Sequence, residues 1–364
     1  MKFSTFTLAA VSAVALVACG GGDTSTPTAN TPAANTEVPV QQSGNEIRIV
    51  GSSTVYPFSI KVAQEFKNKT GYNVIVESTG SGGGHKLFCD SPKLGTPNVT
   101  NSSRRQKASE FGKCMDAGIE GVVEVKIGYD GIVVANAIDS PVIDMSMKDI
   151  YLAFAKNVPI DDNCTMGPNP YTRWSEIEDF LPDYRIEAYG PPPTSGTRDA
   201  FVEIAMEKGA KEIPCLAEMS KTDKDAFKQA AHIVREDGYW IDSGENDNAL
   251  VQTLTNTPTA VGVFGYSFLE QNSDKVKGAK VGEAKPTFEN IASGAYPVSR
   301  SLYFYIKKDH VGQVPGLQEY ALEFTSEAAS GPGGYLEEIG LVPLPDAERT
   351  KYRKAVVDMI PYSQ

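Results

Sequence analysis

Histidine, tryptophan and cysteine are scarce in this chain of 364 residues, which contains three, two and five of them. The histidines are isolated and no Cys-x-x-Cys spacing occurs, so we expect no metal site. The chain also lacks a Gly-x-Ser-x-Gly elbow and a loop ending in Gly-Lys-Ser/Thr, which argues against a serine hydrolase and against a nucleotide-binding P-loop. We therefore predict a protein without a cofactor and without catalytic activity.

Positive charge is in deficit, with 34 lysines and arginines against 46 aspartates and glutamates and a net charge of −12. No basic stripe is present, and this excludes nucleic acid as an expected partner. A small anion stays possible, because local hydrogen-bond donors can outweigh a distant net charge. The length predicts two domains, each large enough to have its own core.

A long apolar run occurs only at the N-terminus, where residues 3–18 are too few to span a membrane comfortably. The run ends in Leu-Val-Ala-Cys-Gly, which resembles a bacterial lipobox with Cys19 as the lipidated residue. We predict a signal peptide over residues 1–18 and a lipid-anchored flexible tether over 19–45, which is rich in Gly, Ser, Thr and Pro. An ordinary signal peptide with an incidental cysteine is the alternative. Either leader places the mature chain outside the cytoplasm, and the lipobox predicts a periplasmic protein held at a membrane.

Three short Ser/Thr/Gly segments carry most of the functional signal: Gly51–Thr54, Ser78–Gly84 and Ser195–Arg198. Each follows a predicted strand and precedes a predicted helix, of which the second begins near Gly83 and the third ends at Gly209. A helix N-terminus has unpaired N–H groups and a dipole that favours negative charge. A glycine-rich run also lets a ligand approach the backbone closely. Together the three segments predict a cage for a small tetrahedral anion.

The strand–helix–strand order predicts an α/β fold with ligands at the carboxyl ends of parallel strands. Because the anion loops lie on both sides of Asn136, we predict two lobes that face each other across a cleft. Lobe I comprises residues 46–136 plus 281–364, and lobe II comprises 137–280. Four cysteines remain besides Cys19 and allow three pairings. We favour the pairs Cys89–Cys114 and Cys164–Cys215, because each lies within one predicted lobe.

The chain resembles the phosphate-binding lipoproteins of bacterial phosphate ABC transporters, the PstS family. The resemblance is carried, in order, by residues 51–57, 78–84, 195–197, 244–248 and 265–266. It implies a two-lobed type II periplasmic-binding-protein fold, in which each lobe is a mixed sheet flanked by helices and a two-stranded hinge joins the lobes. It also implies a monomer that binds inorganic phosphate by hinge closure and delivers it to a membrane permease. Another oxyanion (sulfate, arsenate, molybdate or a phosphonate) is the alternative ligand, and a surface-anchored enzyme or adhesin is a third reading.

The resemblance and the loops together predict the phosphate-binding residues Ser53, Thr54, Val55, Ser81, Gly82, Ser103, Arg104, Ser195, Gly196, Thr197 and Arg198. One departure concerns selectivity, because many members have an aspartate, the acceptor for a phosphate proton, where this chain has Arg104. Asp130 and Asp247 are the candidate replacements, and selectivity by geometry and added positive charge is the alternative. An arginine that the family has upstream of the third loop is also missing, and Arg198 could supply its charge.

Overall fold

The computed structural model describes residues 46–141, 143–244 and 247–364, apart from the side chains of Asp247 and Asn248. The strands are β1 (Ile47–Gly51), β2 (Val74–Ser78), β3 (Val99–Ser102), β4 (Val122–Ala137), β5 (Asn157–Pro159), β6 (Met166–Pro168), β7 (Ala188–Gly190), β8 (Trp240–Asp242), β9 (Val261–Gly265), β10 (Val276–Gly278) and β11 (Ser299–Lys307). The helices are α1 (Tyr56–Thr70), α2 (Ser81–Phe88), α3 (Ala108–Asp116), α4 (Met147–Phe154), α5 (Gly196–Phe201), α6 (Glu207–Lys211), α7 (Pro214–Thr222), α8 (Lys224–His232), α9 (Asp247–Asn256), α10 (Tyr266–Gln271), α11 (Phe288–Ser293), α12 (Leu317–Phe324), α13 (Glu327–Ser330) and α14 (Asp346–Val357). A π-helical segment, Val202–Met206, connects α5 to α6. Within the three described ranges, no helix has the length and apolar character that a membrane crossing needs.

A mixed sheet organises the fold, in the order β2-β1-β3-β11-β4-β9-β7-β8, with β10 also paired to β4. Strands β1, β2 and β3 are parallel, so the loops that follow them emerge at one edge. Strands β7, β8 and β9 are also parallel to one another. Strand β11 runs antiparallel to both β3 and β4. The α/β class predicted from the sequence is thus confirmed.

Strand β4 is 16 residues long and belongs to two hydrophobic cores. Its first half contributes Val123, Val125 and Ile127 to a core built with β1, β11, α1 and α12. Its second half contributes residues 132–135 to a larger core built with β9, α4 and α9. Residues 128–131 lie where β4 passes from one core to the other, opposite the first residues of β11. The lobe boundaries given above stay a prediction.

The helix after the first loop forms as the apolar spacing predicts. Val55, Phe58, Val62 and Phe66 are all buried on one side of α1 and its N-terminus. Gly71 ends the helix in the left-handed conformation, with φ of 79°.

Two other predicted helix boundaries are wrong. Helix α2 begins at Ser81 rather than near Gly83. The helical run from α5 continues through Gly209 to Lys211. Gly209 lies inside α6, at a position where a Cβ would lie only 2.0 Å from the carbonyl oxygen of Met147. This glycine serves close packing of α6 on α4.

Both predicted disulfides are present. Cys89 is bonded to Cys114 and Cys164 is bonded to Cys215. The first bond joins the end of α2 to α3 and is surrounded by a small core that includes Phe88. The second bond closes a loop of 51 residues, which reduces the entropy of the unfolded chain.

The carboxylate of Glu207 accepts a hydrogen bond from His232 at 3.1 Å, which links α6 to α8. This hydrogen bond, with further help from Lys211, lowers the pKa of Glu207 to about 2. A carboxyl whose pKa falls on folding contributes stability above its unfolded pKa and loses it as the pH falls toward the folded value. We expect Glu207→Gln to lower the free energy of unfolding at pH 6 by about 2 kcal/mol.

Urea denaturation of the Glu207→Gln variant and the wild type at several pH values measures this effect. The difference between the two proteins should shrink between about pH 4.5 and pH 2. Glu218→Gln, which removes an exposed carboxylate paired with Lys221, is the control and should change stability little. A Glu207→Gln penalty that persists unchanged at pH 2 would show that packing, and not the charge, is responsible.

Candidate functional site

A cavity of about 320 Å³ lies between the loop after β1 and the N-terminus of α5. Its polar lining comprises Thr54, Asp130, Ser195, Thr197 and Glu338, together with the backbone of Gly196 and other glycines. Its apolar lining includes Phe58, Phe268 and Ile339. Concave sites with a few converging polar groups on an apolar wall are typical of small-ligand binding. The two helix ends that the sequence analysis singled out as first and third therefore face one shared space.

The two loops touch although they are about 140 residues apart in the chain. A Cβ built on Gly196 would lie 3.5 Å from the Ser53 carbonyl oxygen and 3.9 Å from the Thr54 Cα. The Ser53 side chain also acts on Asp199, on the first turn of α5: burial raises the pKa of Asp199, and Ser53 opposes that rise. Ser195 caps α5, since its hydroxyl accepts a hydrogen bond from the Thr197 N–H at 3.2 Å. The serine and threonine hydroxyls are thereby held at the edge of the cavity.

The second predicted loop forms a separate cluster with the segment after β3. The Ser81 hydroxyl lies 3.1 Å from the Ser103 hydroxyl and accepts a hydrogen bond from the Ser103 N–H. The Arg104 guanidinium donates two hydrogen bonds to Glu110, at 2.9 and 2.7 Å, and comes within 4.0 Å of the Cβ position of Gly82. None of Ser81, Gly82, Ser103 and Arg104 lines the cavity. Their assignment to the binding site stays a prediction.

Arg198 is buried, and its guanidinium contacts other groups of the protein. It donates to the Pro191 carbonyl oxygen at 2.9 Å and lies 4.7 Å from the centroid of the Trp240 ring. Burial lowers the pKa of this guanidinium, while Asp242 acts in the opposite direction. Arg198 therefore stabilises the proline-rich approach to α5 and does not line the cavity.

Within the described part of the chain, neither Val55 nor Asp247 is shown in contact with the cavity. Val55 is fully buried in the core beneath the cavity, and its N–H donates to the Ser52 hydroxyl at 3.4 Å. Asp247 begins α9, but its side chain lies outside the described residues. Its role as a proton acceptor stays untested, as does the lipidation of Cys19, which also lies outside the described residues.

Asp130 lies on β4 at the crossing between the two cores and faces the cavity. Its antiparallel partner on β11 is Arg300, whose Nε donates to the Asp130 carboxylate at 3.3 Å. Burial raises the pKa of Asp130, while the positive charge of Arg300 opposes that rise. A buried carboxylate with these properties is a candidate acceptor for a ligand proton.

Arg300 is the residue that the sequence analysis missed. It also donates hydrogen bonds to the Thr54 hydroxyl and, at 2.7 Å, to the carboxylate of Glu203. The sequence did contain a hint of a functional arginine: Ser-Arg-Ser precedes the apolar run Leu302–Ile306, which places a charge at the start of a buried strand. Strand pairing, which that signal does not contain, brings Arg300 opposite Asp130.

Comparison with known proteins identifies the family. Residues 23–328 match the model of a PBP superfamily domain, which is most of the chain. The chain belongs to the PBP superfamily. The phosphate-binding protein PstS of Staphylococcus saprophyticus is 29% identical over 370 aligned positions, covering 99% of this chain and 95% of that protein. The resemblance to the PstS family that the loops indicated is thereby confirmed.

Solved structures support the same assignment. A possible phosphate-binding protein from Planctomyces limnophilus superposes with a TM-score of 0.68 at 25% identity, covering 87% of this chain and 99% of that one. PstS from Borrelia burgdorferi superposes with a TM-score of 0.53 at 17% identity, covering 83% of this chain and 99% of that one. The second likeness shows the fold alone. The two-lobed fold class expected for this PBP superfamily member is thus confirmed.

Proposed function

We propose that this chain binds inorganic phosphate outside the cytoplasm and delivers it to the permease of an ABC transporter. The observation that carries the proposal is the shared cavity, which Thr54, the segment Ser195–Thr197 and Asp130 all line. Relatives named phosphate-binding protein PstS span almost the whole chain, which supports the same ligand. The protein performs no chemistry on its ligand.

Hydroxyls and helix N-termini suit a tetrahedral oxyanion. Thr54 and Ser195 contribute hydroxyl donors from the two sides of the cavity, and the first turn of α5 contributes its backbone dipole. Hydrogen bonds to a charged ligand are about twice as strong as those between neutral groups. Ser81, Gly82, Ser103 and Arg104 form a neighbouring cluster that we assign to the wall of the same cleft.

Closure over the ligand needs a flexible connection between the two sides. Strand β4 passes from one core to the other beside β11, whose preceding residues Tyr296 and Val298 belong to the larger core, and we assign the two strands as the hinge. A hinge at this position would place Asp130 and Arg300 at the pivot, where closure moves them least.

The location of the mature protein follows from its leader. We propose that residues 1–18 direct export, that Cys19 carries a lipid and that residues 19–45 connect the anchor to the body. The body acts as a monomer that exchanges ligand with one permease. These assignments rest on the sequence, since the segment precedes the described residues.

Calorimetric titration of the purified protein with phosphate, sulfate, arsenate and molybdate tests the ligand. We expect phosphate to bind and sulfate to bind much more weakly, because sulfate has no proton for Asp130 to accept. Tighter binding of sulfate or molybdate than of phosphate would reassign the protein to another oxyanion.

The cage assignment predicts that Thr54→Ala and Ser195→Ala each weaken phosphate binding by about 1–3 kcal/mol, because each removes a hydroxyl donor. Calorimetric titration measures the loss. Ser195→Ala also removes a helix cap, so Ser326→Ala, which removes the cap of α13 away from the cavity, is its matched control. Unchanged affinity in Thr54→Ala and Ser195→Ala would exclude both hydroxyls from the site.

A further inference from the structure

The guanidinium of Arg300 has three partners that come from three different elements. Its Nε donates to Asp130 on β4, one terminal nitrogen donates to the Thr54 hydroxyl, and the other donates to Glu203 at 2.7 Å. Thr54 and Asp130 line the cavity, so the guanidinium lies directly behind the cavity wall. A planar guanidinium in that position can form two parallel hydrogen bonds to an oxyanion.

The three partners differ in how firmly they are held. The side chains of Arg300 and Asp130 are only 13% and 14% exposed, whereas that of Glu203 is 46% exposed. Thr54 is likewise buried. Glu203 is therefore the partner that can separate from Arg300 most easily, because water already reaches its carboxylate.

Glu203 lies in the π-helical segment Val202–Met206, directly after α5. A π-helical turn is a local irregularity that recurs at functional sites, and it changes the direction in which a side chain leaves the helix. Here the segment contributes a carboxylate that bonds to the cation beside the cavity. One terminal nitrogen of Arg300 is thus taken by an oxyanion of the protein itself.

Because several carboxylates surround the cavity, the pairing of Arg300 with Glu203 affects how strongly an anion can bind. Asp130, Asp199 and Glu203 all influence the same small region, in which Arg300 is their shared cation. A ligand with two negative charges gains little from Arg300 while Glu203 remains bound to Arg300, because the ligand and Glu203 carry charge of the same sign.

We propose that Arg300 is the ligand-binding cation of the cleft and that Glu203 is an internal counterion which the arriving oxyanion displaces. This inference rests on the proposed function, since it assigns roles within the same site. Glu203 acts through Arg300 and is a positioning residue. The contribution of Arg300 to ligand affinity then equals its interaction with the oxyanion less its interaction with Glu203.

Calorimetric titration with phosphate, sulfate and arsenate tests the inference on four proteins: the wild type, Glu203→Gln, Arg300→Gln and the double variant. We expect Glu203→Gln to bind the preferred anion about tenfold more tightly and Arg300→Gln to bind it at least about 100-fold more weakly. In the Arg300→Gln background, Glu203→Gln should have no effect. Glu218→Gln removes an equal charge from α7 and should leave affinity unchanged, which controls for net charge.

The outcomes separate this inference from the proposed function. If the wild type binds phosphate and Glu203→Gln binds it equally or less tightly, the counterion role is wrong and the function stands. If another anion of the panel binds instead and shows the expected variant pattern, the phosphate assignment is wrong and the counterion role stands. If no anion binds to the wild type or to Glu203→Gln, both are wrong.

Discussion

Replacing Gly84 with alanine should lower the free energy of unfolding by about 2 kcal/mol and weaken phosphate binding at least about tenfold. A Cβ at Gly84 would lie 2.5 Å from the Gly51 Cα and 2.6 Å from the Thr100 hydroxyl, so α2 and β1 must move apart. Gly51 cannot move away from α2 toward β3, because the position of a Cβ on Gly51 is already only 2.2 Å from the Asn101 carbonyl oxygen. The displacement therefore reaches the loop that carries Thr54. Urea denaturation and calorimetric titration measure the two effects.

Gly83→Ala is the matched control in the same helix. A Cβ at this position would make only ordinary van der Waals contacts, the nearest at 3.6 Å to Thr79, so it would not push α2 away from its neighbours. Alanine is a better helix former than glycine, and we expect this variant to be more stable by up to about 1 kcal/mol. Destabilisation of both variants to the same extent would show that the contact between α2 and β1 is not the cause.

Asp130→Asn should reduce the preference for phosphate over sulfate about 100-fold. The carboxylate can accept a hydrogen bond from a protonated phosphate oxygen, whereas it repels the fully deprotonated sulfate. The amide of asparagine can donate to either anion, so sulfate binding should strengthen while phosphate binding weakens. Parallel titrations with the two anions give the ratio, which is less sensitive than either affinity to a general loss of stability.

Asp237→Asn is the control for the loss of an arginine's partner. Asp237 accepts two hydrogen bonds at 2.8 Å from the buried Arg235, as Asp130 pairs with Arg300, but it does not line the cavity. We expect its replacement to affect stability and to leave the anion ratio unchanged. A wild-type ratio in Asp130→Asn would remove Asp130 as the acceptor and leave Asp247 as the remaining candidate.

Local features of the fold follow from the sequence because they depend on neighbouring residues. The spacing of Phe58, Val62 and Phe66 defines the buried side of α1, and Gly71 ends it. The pairing of the cysteines follows once two lobes are assumed, because a disulfide joins residues that are close in the fold.

The glycine-rich run shows where such reasoning stops. The run is typical of a backbone that something must approach closely, and we expected a ligand there. At Gly84 the approaching group is the backbone of β1, not a ligand. No pattern in the run itself distinguishes the two, because a ligand and a neighbouring strand impose the same demand for a missing side chain.

The order of residues along the chain is enough to indicate the fold class, the family and the two helix ends that line the shared cavity. These depend on residue type, periodicity and local turns, which act over a few residues. The selection of Arg300 as the cation, of Asp130 as its partner and of Glu203 as its competitor depends on strand register and on packing between distant elements. Arg300 is 170 positions from Asp130 and 97 positions from Glu203. Contacts over such separations leave no periodic pattern in a single sequence, and only the folded chain brings these residues together.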